Sequence, residues 1–192
     1  MLNLATAYTV DDLDWAREAL GTTHIEIDED GQLVVSPATD AHEWAIHALA
    51  DLLRAGPAIV LPLGWTWKPP NGSGRLNVPD LLLVAVDSVR DDQHFVPAPL
   101  LVVEVASPST RRKDRSERPG GKMSEYLVGR ADHYLLVDLP ALVGVDQPTV
   151  ELLTRVDTRW ATSGPQSMLD LPAALGNITI VAADLVFNGR IR

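Results

Sequence analysis

Two apolar runs, residues 78–86 and 100–106, set the limits on what this chain can fold into. Each is bounded by turn residues and lacks the strict alternation of a half-buried strand. Both therefore read as strands buried on both faces, central in a sheet. Such a sheet needs cover on each side, and the flanking sequence supplies it. Residues 11–20 carry Leu13, Ala16 and Leu20 at helical spacing before a stop at Gly21. Asp40 or Thr39 can cap a second helix, whose stripe of Trp44, Ala48, Leu49, Leu52 and Leu53 ends at Gly56-Pro57. Residues 121–128 predict a short third helix. Residues 23–27 and 32–35 predict a hairpin, residues 59–67 a strand in two pieces, and residues 133–138 a strand stopped by Pro140. Residues 149–154 and 159–162 predict a late hairpin, and residues 183–187 a short helix. The expected fold is α/β: a central mixed β-sheet flanked by helices, with an N-terminal strand and helix extension and a C-terminal hairpin.

The 192 residues, 46% of them hydrophobic, suit one domain over 1–192 with a sizeable core. The sequence has no cysteine, which excludes disulfides, a Cys-ligated zinc site and a thiol nucleophile. No apolar run is long enough to span a bilayer, and residues 1–10 lack the pattern of a secretory signal, so a cytoplasmic protein with no membrane partner is expected. A glycine-rich phosphate loop, a nucleophile elbow and a histidine pair at zinc spacing are all missing.

Within the two apolar runs, Glu104 is the sharpest anomaly. It interrupts Leu100, Leu101, Val102, Val103, Val105 and Ala106. An unpaired buried carboxylate costs several kcal/mol, on the order given by desolvation, so Glu104 should meet a cation, several donors or the open end of the sheet. Asp80 repeats the pattern after Pro79. If the two strands are neighbours, both carboxylates can converge on one hard cation such as Mg²⁺. The plainer alternative is a pair of hydrogen-bonded strand-end acids.

The string Val78-Pro79-Asp80-Leu81, followed by Leu101 through Glu104-Val105-Ala106-Ser107-Pro108-Ser109-Thr110, resembles the Uma-two family of the PD-(D/E)XK, restriction-endonuclease-like superfamily. The basic stretch Arg111-Arg112-Lys113-Asp114-Arg115, the passage from Gly129 through Tyr134 to Asp138, and residues 31–42 extend the likeness. It covers about residues 24–140, the expected nuclease core. The resemblance implies a metal-dependent nuclease acting on DNA with Mg²⁺ or Mn²⁺. It makes Asp80 and Glu104 metal ligands, with the backbone carbonyl of Val105 as a third. The alternative is an inactive nucleic-acid-binding or regulatory module on the same fold, which a net charge of -10 favours.

The superfamily usually carries its lysine two residues after the acid, on the same strand face, and here that position is Ala106. The family resembled places its lysine on the next helix, four residues before a tyrosine. Lys122 and Tyr126 have that spacing, which puts them on one helix face. The family's lysine also follows its aspartate by four residues, and that place here holds Arg118. Either a one-turn insertion precedes Lys122, or arginine, which does not serve as a base, has replaced the lysine. His42 and Glu43 open the helix after Ser36-Pro37, and with Glu26 they are supporting candidates. Arg111, Arg112, Lys113 and Arg115 form either a nucleic-acid-binding patch or a solvated helix start. Ser107, Ser109 and Thr110 can cap or contact phosphate, and Trp65 and Trp67 can stack bases or pack. A homodimer would let two sites cut two strands.

Overall fold

The computed structural model describes residues 10–20, 25–27, 33–35, 39–61, 67, 77–88, 98–106, 111–119, 121–140 and 147–186. Helix α1 (Val10–Leu20) precedes the antiparallel pair β1 (Ile25–Ile27) and β2 (Leu33–Val35). Helix α2 (Asp40–Leu53) is capped by Thr39, whose hydroxyl accepts from the His42 amide at 3.3 Å. Then come β3 (Ile59–Leu61), β4 (Leu81–Val84) and β5 (Leu101–Ala106). The one-turn helix α3 (Arg111–Asp114) and α4 (Lys122–Val128) lead into β6 (His133–Asp138). The chain continues through β7 (Thr149–Val156) and β8 (Arg159–Thr162) to the antiparallel pair β9 (Met168–Asp170) and β10 (Thr179–Val181).

The principal sheet has the order β3-β4-β5-β6-β7-β8 and is mixed: β5 and β6 run parallel and the other neighbours antiparallel. A parallel pair cannot be closed by a tight turn and needs a crossover. Here α3 and α4 lie in that crossover, so the segment between β5 and β6 brings its polar side chains back over the sheet.

The period-two alternation of the strands divides the core in two. Leu81, Leu83, Leu101, Val103, Val105, Leu135 and Val137 pack with α2 and with Leu169, Leu175, Ile180 and Leu185 from the C-terminal segments. Leu82, Val84, Val102, Tyr134 and Leu136 face the other way, onto Met123 and Tyr126 of α4 and onto Trp67. Glu104 has the parity of Val102 and so belongs to the α4 side.

Helix α2 is rotated from the expected stripe. Its buried residues are Ala45, Ile46, Leu49, Ala50 and Leu53, whereas Trp44 and Leu52 are exposed. The two alanines let the helix axis approach the sheet, which the bulkier Trp44 would prevent. The small pair β9 and β10 was not expected, because strands of three residues leave too little pattern to read. No described helix is long and apolar enough to cross a membrane.

Candidate active site

The site forms where β4 and β5 part. Pro79 has no amide to donate, and pairing of the two strands stops at Leu81 opposite Val103, so the next pair along the same register would be Asp80 and Glu104. Asp80 closes the gap with its side chain: Oδ2 accepts the Val105 amide at 2.7 Å. The carboxylate thus takes the place of a backbone acceptor at the end of the ladder, which explains how a residue only 5% exposed can be acidic. His42, at the start of α2, brings Nε2 within 3.3 Å of the same oxygen. Burial pulls the His42 imidazole down, but the hydrogen bond and charge of Asp80, with Glu43 behind them, outweigh it and leave the pKa raised.

Glu104 is 3% exposed, and both its oxygens are engaged. Oε2 accepts from Lys122 Nζ at 2.8 Å, and Oε1 accepts a short hydrogen bond from the Tyr126 hydroxyl. Lys122 and Tyr126 sit one turn apart on α4, so a single helix face holds the carboxylate at two points. Lys122 Nζ also lies 3.4 Å from Asp114 Oδ1 at the end of α3. The position of Lys122 depends on Gly121, where an added Cβ would stand 2.4 Å from the Ser116 carbonyl oxygen. Only a glycine lets α4 begin this close to the preceding loop.

An aromatic run supports the group. Trp67 packs on Tyr126 with ring centroids 5.4 Å apart, and Tyr126 meets Tyr134 edge-on at 5.1 Å. The Tyr134 hydroxyl donates to the Asp114 carbonyl at 3.1 Å. Burial drives the Tyr134 pKa well up, and the charges of Glu104, Asp114 and Asp80 push the same way while Lys122 opposes them. Four charged side chains therefore act on one buried hydroxyl, which marks them as one electrostatic neighbourhood.

The structure brings Lys122, and not Arg118, to Glu104. Arg118 is exposed, and its carbonyl accepts from the Gly121 amide at 2.8 Å, closing a turn ahead of α4. That turn delays the lysine by four residues relative to Asp114. Ala106 is buried on the strand face where the superfamily lysine would stand. Val105 donates its amide to Asp80, and Glu43 is half-buried beside His42 in the first turn of α2. The Glu26 side chain, Trp65, Ser107, Ser109 and Thr110 lie outside the described residues. Trp67 is fully buried, as a packing residue is.

The basic stretch has two kinds of member. Arg111 Nε donates to Asp138 Oδ1 at 2.7 Å, and Arg115 pairs with Glu151, itself held by the Thr162 hydroxyl at 2.5 Å. Arg112 is exposed and Lys113 half-buried. Sequence reasoning missed Asp114 as a site residue because it stands in a run of charges, where a carboxylate looks like a surface residue. Tyr126 was legible, since its spacing from Lys122 is the signal that picks out the lysine.

The model of the Uma2 family, described as "putative restriction endonuclease", matches residues 13–183. The chain belongs to this family. A crystal structure from Anabaena variabilis ATCC 29413, described as a putative nuclease belonging to DUF820, shares the Uma2 chain's fold with a TM-score of 0.60. The two are 18% identical, and the match covers 90% of this chain and 96% of the other. No curated protein matches the sequence.

Among the described residues, no group of three or more His, Cys, Asp or Glu side chains is arranged to hold a metal ion directly. Two buried carboxylates at one strand end nevertheless suit Mg²⁺ or Mn²⁺, which take few protein oxygens and keep several waters. Asp80 and Glu104, at opposed positions on neighbouring strands, are the oxygen donors present for such an ion.

Proposed function

We propose that this Uma2 protein is a divalent-metal-dependent nuclease of the PD-(D/E)XK type that hydrolyses phosphodiester bonds in DNA. The observation that carries the reading is an excess of buried carboxylates over buried lysine. Asp80, Glu104 and Asp114 are 5%, 3% and 1% exposed, and Lys122, at 6%, is the buried lysine among them. Asp80 and Glu104 at the end of the β4–β5 ladder, with Asp114 at the end of α3, are buried acids that favour an added cation even with His42 beside Asp80 and Lys122 beside Glu104 and Asp114. Asp80 and Glu104 would hold the ion, with the Val105 carbonyl beside them. When bound, the ion supplies a water of lowered pKa and stabilises charge on the phosphate oxygens.

The chain's own groups supply the rest. Lys122 supplies an ammonium that orients the attacking water or meets the developing charge on phosphate. Tyr126 fixes Glu104, and the Val105 amide fixes Asp80, so neither carboxylate has to reorganise. A second reading, a DNA-binding or regulatory module without turnover, is favoured by the engagement of both Glu104 oxygens.

Cleavage of labelled single- and double-stranded DNA with Mn²⁺ separates the two. Asp80→Asn and Glu104→Gln should each lose activity by more than about a hundredfold, beyond the usual effect of altering a supporting residue at a metal site. Equal cleavage by all three proteins would sink the nuclease assignment to these residues. DNA binding without cleavage by the parent would establish the second reading.

A further inference from the structure

We propose that Lys122 is a resident cation that occupies Glu104 until a divalent ion arrives, and that Asp114 is the positioning residue to which it withdraws. The inference rests on the metal-dependent reading above. It begins with geometry: one ammonium has two buried carboxylates within reach, Glu104 at 2.8 Å and Asp114 at 3.4 Å. They come from different elements, β5 and α3, so the ammonium can shift from one to the other while the backbone stays in place. A lysine ammonium has three donors on a flexible stem, which suits an exchange of partners.

With Lys122 on Asp114, Glu104 no longer holds the ammonium and can turn its Oε2 to the ion beside Asp80, whose own neighbour is His42. With Lys122 on Glu104, an incoming ion meets a like charge on the oxygen it needs. Asp114 keeps a buried carboxylate beside the ammonium that an entering ion displaces, which lowers the cost of releasing it from Glu104. Tyr126 completes the device. Its bond to Oε1 keeps the Glu104 carboxylate oriented while Oε2 changes partner.

The test is Mn²⁺ affinity of the full chain after chelator treatment, read from the free-ion electron paramagnetic resonance signal, with folding checked by thermal melts. Lys122→Met should tighten binding by about tenfold or more, the equivalent of one charge-assisted hydrogen bond no longer competing. Asp114→Asn should weaken binding severalfold in the parent, yet change it by less than about twofold in the Lys122→Met background, because the aspartate acts through the lysine. Where Lys122→Met gives no cooperative melt, Lys122→Gln serves in the same comparison. Unchanged or weaker binding on removing the lysine overturns the proposal and leaves the metal site standing. Equal weakening by Asp114→Asn in both backgrounds makes Asp114 a ligand and also overturns it. Failure of parent and lysine variants alike to bind Mn²⁺ removes the metal-dependent reading itself.

Discussion

Replacing Glu104 by Gln should lower the stability of the metal-free protein by about 2–3 kcal/mol. The figure follows from what the substitution leaves behind. Gln keeps the shape and one carbonyl, so Tyr126 can still find a partner, but the negative charge 2.8 Å from Lys122 Nζ is gone. Breaking a buried ion pair from one side typically costs about 3–5 kcal/mol when the surviving charge is left alone. Here the ammonium retains Asp114 at 3.4 Å, which brings the expected loss below that range. For a chain of this size the loss corresponds to a fall in Tm of roughly 4–12 °C. Lys122→Met should cost more, about 3–5 kcal/mol, because it leaves two carboxylates buried without their ammonium. Urea unfolding in EDTA measures both. A Glu104→Gln variant within about 0.5 kcal/mol of the parent would refute the argument, since a surface substitution does no more than that.

Gly121→Ala should cost about 1–3 kcal/mol and reduce cleavage, because its Cβ would collide with Ser116 and shift the start of α4; parent-like melting and activity would contradict this. Burial holds the His133 imidazole below its ordinary value against the pull of Asp132, so the folded state resists protonation. The corresponding stability is present above about pH 6.5 and is lost as pH falls toward the folded pKa; His133→Gln should flatten that decline in Tm, and parallel pH curves would rule the contribution out. In DNA binding, Arg112→Gln should reduce the slope of log K against log salt by about 0.9, whereas Arg115→Gln should leave the slope alone. A changed slope for Arg115→Gln would show that its guanidinium leaves Glu151 for phosphate.

The central strands were legible because burial on both faces writes itself as an unbroken apolar run, and residues 133–138 matched β6 at both ends. Glu104 was legible for the complementary reason: a charge in such a run has no bland explanation. The adjacency of β4 and β5 was only a condition in the sequence, since strand order depends on contacts between distant segments. The expected stripe of α2 follows hydrophobic size, whereas Ala45 and Ala50 pack against the sheet by being small. The choice between Lys122 and Arg118 also lay beyond counting. It turns on a single tight turn between Arg118 and Gly121, whose geometry moves the lysine by one helical turn.

The basic stretch shows why residue type alone does not fix a role. In a chain of net charge -10, arginines beside a candidate nuclease site suggest contacts to phosphate. Yet Arg111 and Arg115 flank Asp114 on either side and reach outward to Asp138 and Glu151, at the end of β6 and the beginning of β7. Two pairs across the crossover thereby pin α3 to the sheet, and the residue between them is turned inward toward Lys122. Partly exposed pairs of this kind contribute little stability individually. Their effect is geometric: they fix where Asp114 stands, and through it the distance between a lysine and the carboxylate it must release. The arginines thus bear on the chemistry by holding the site's own acid in place, which a phosphate-binding role would not require.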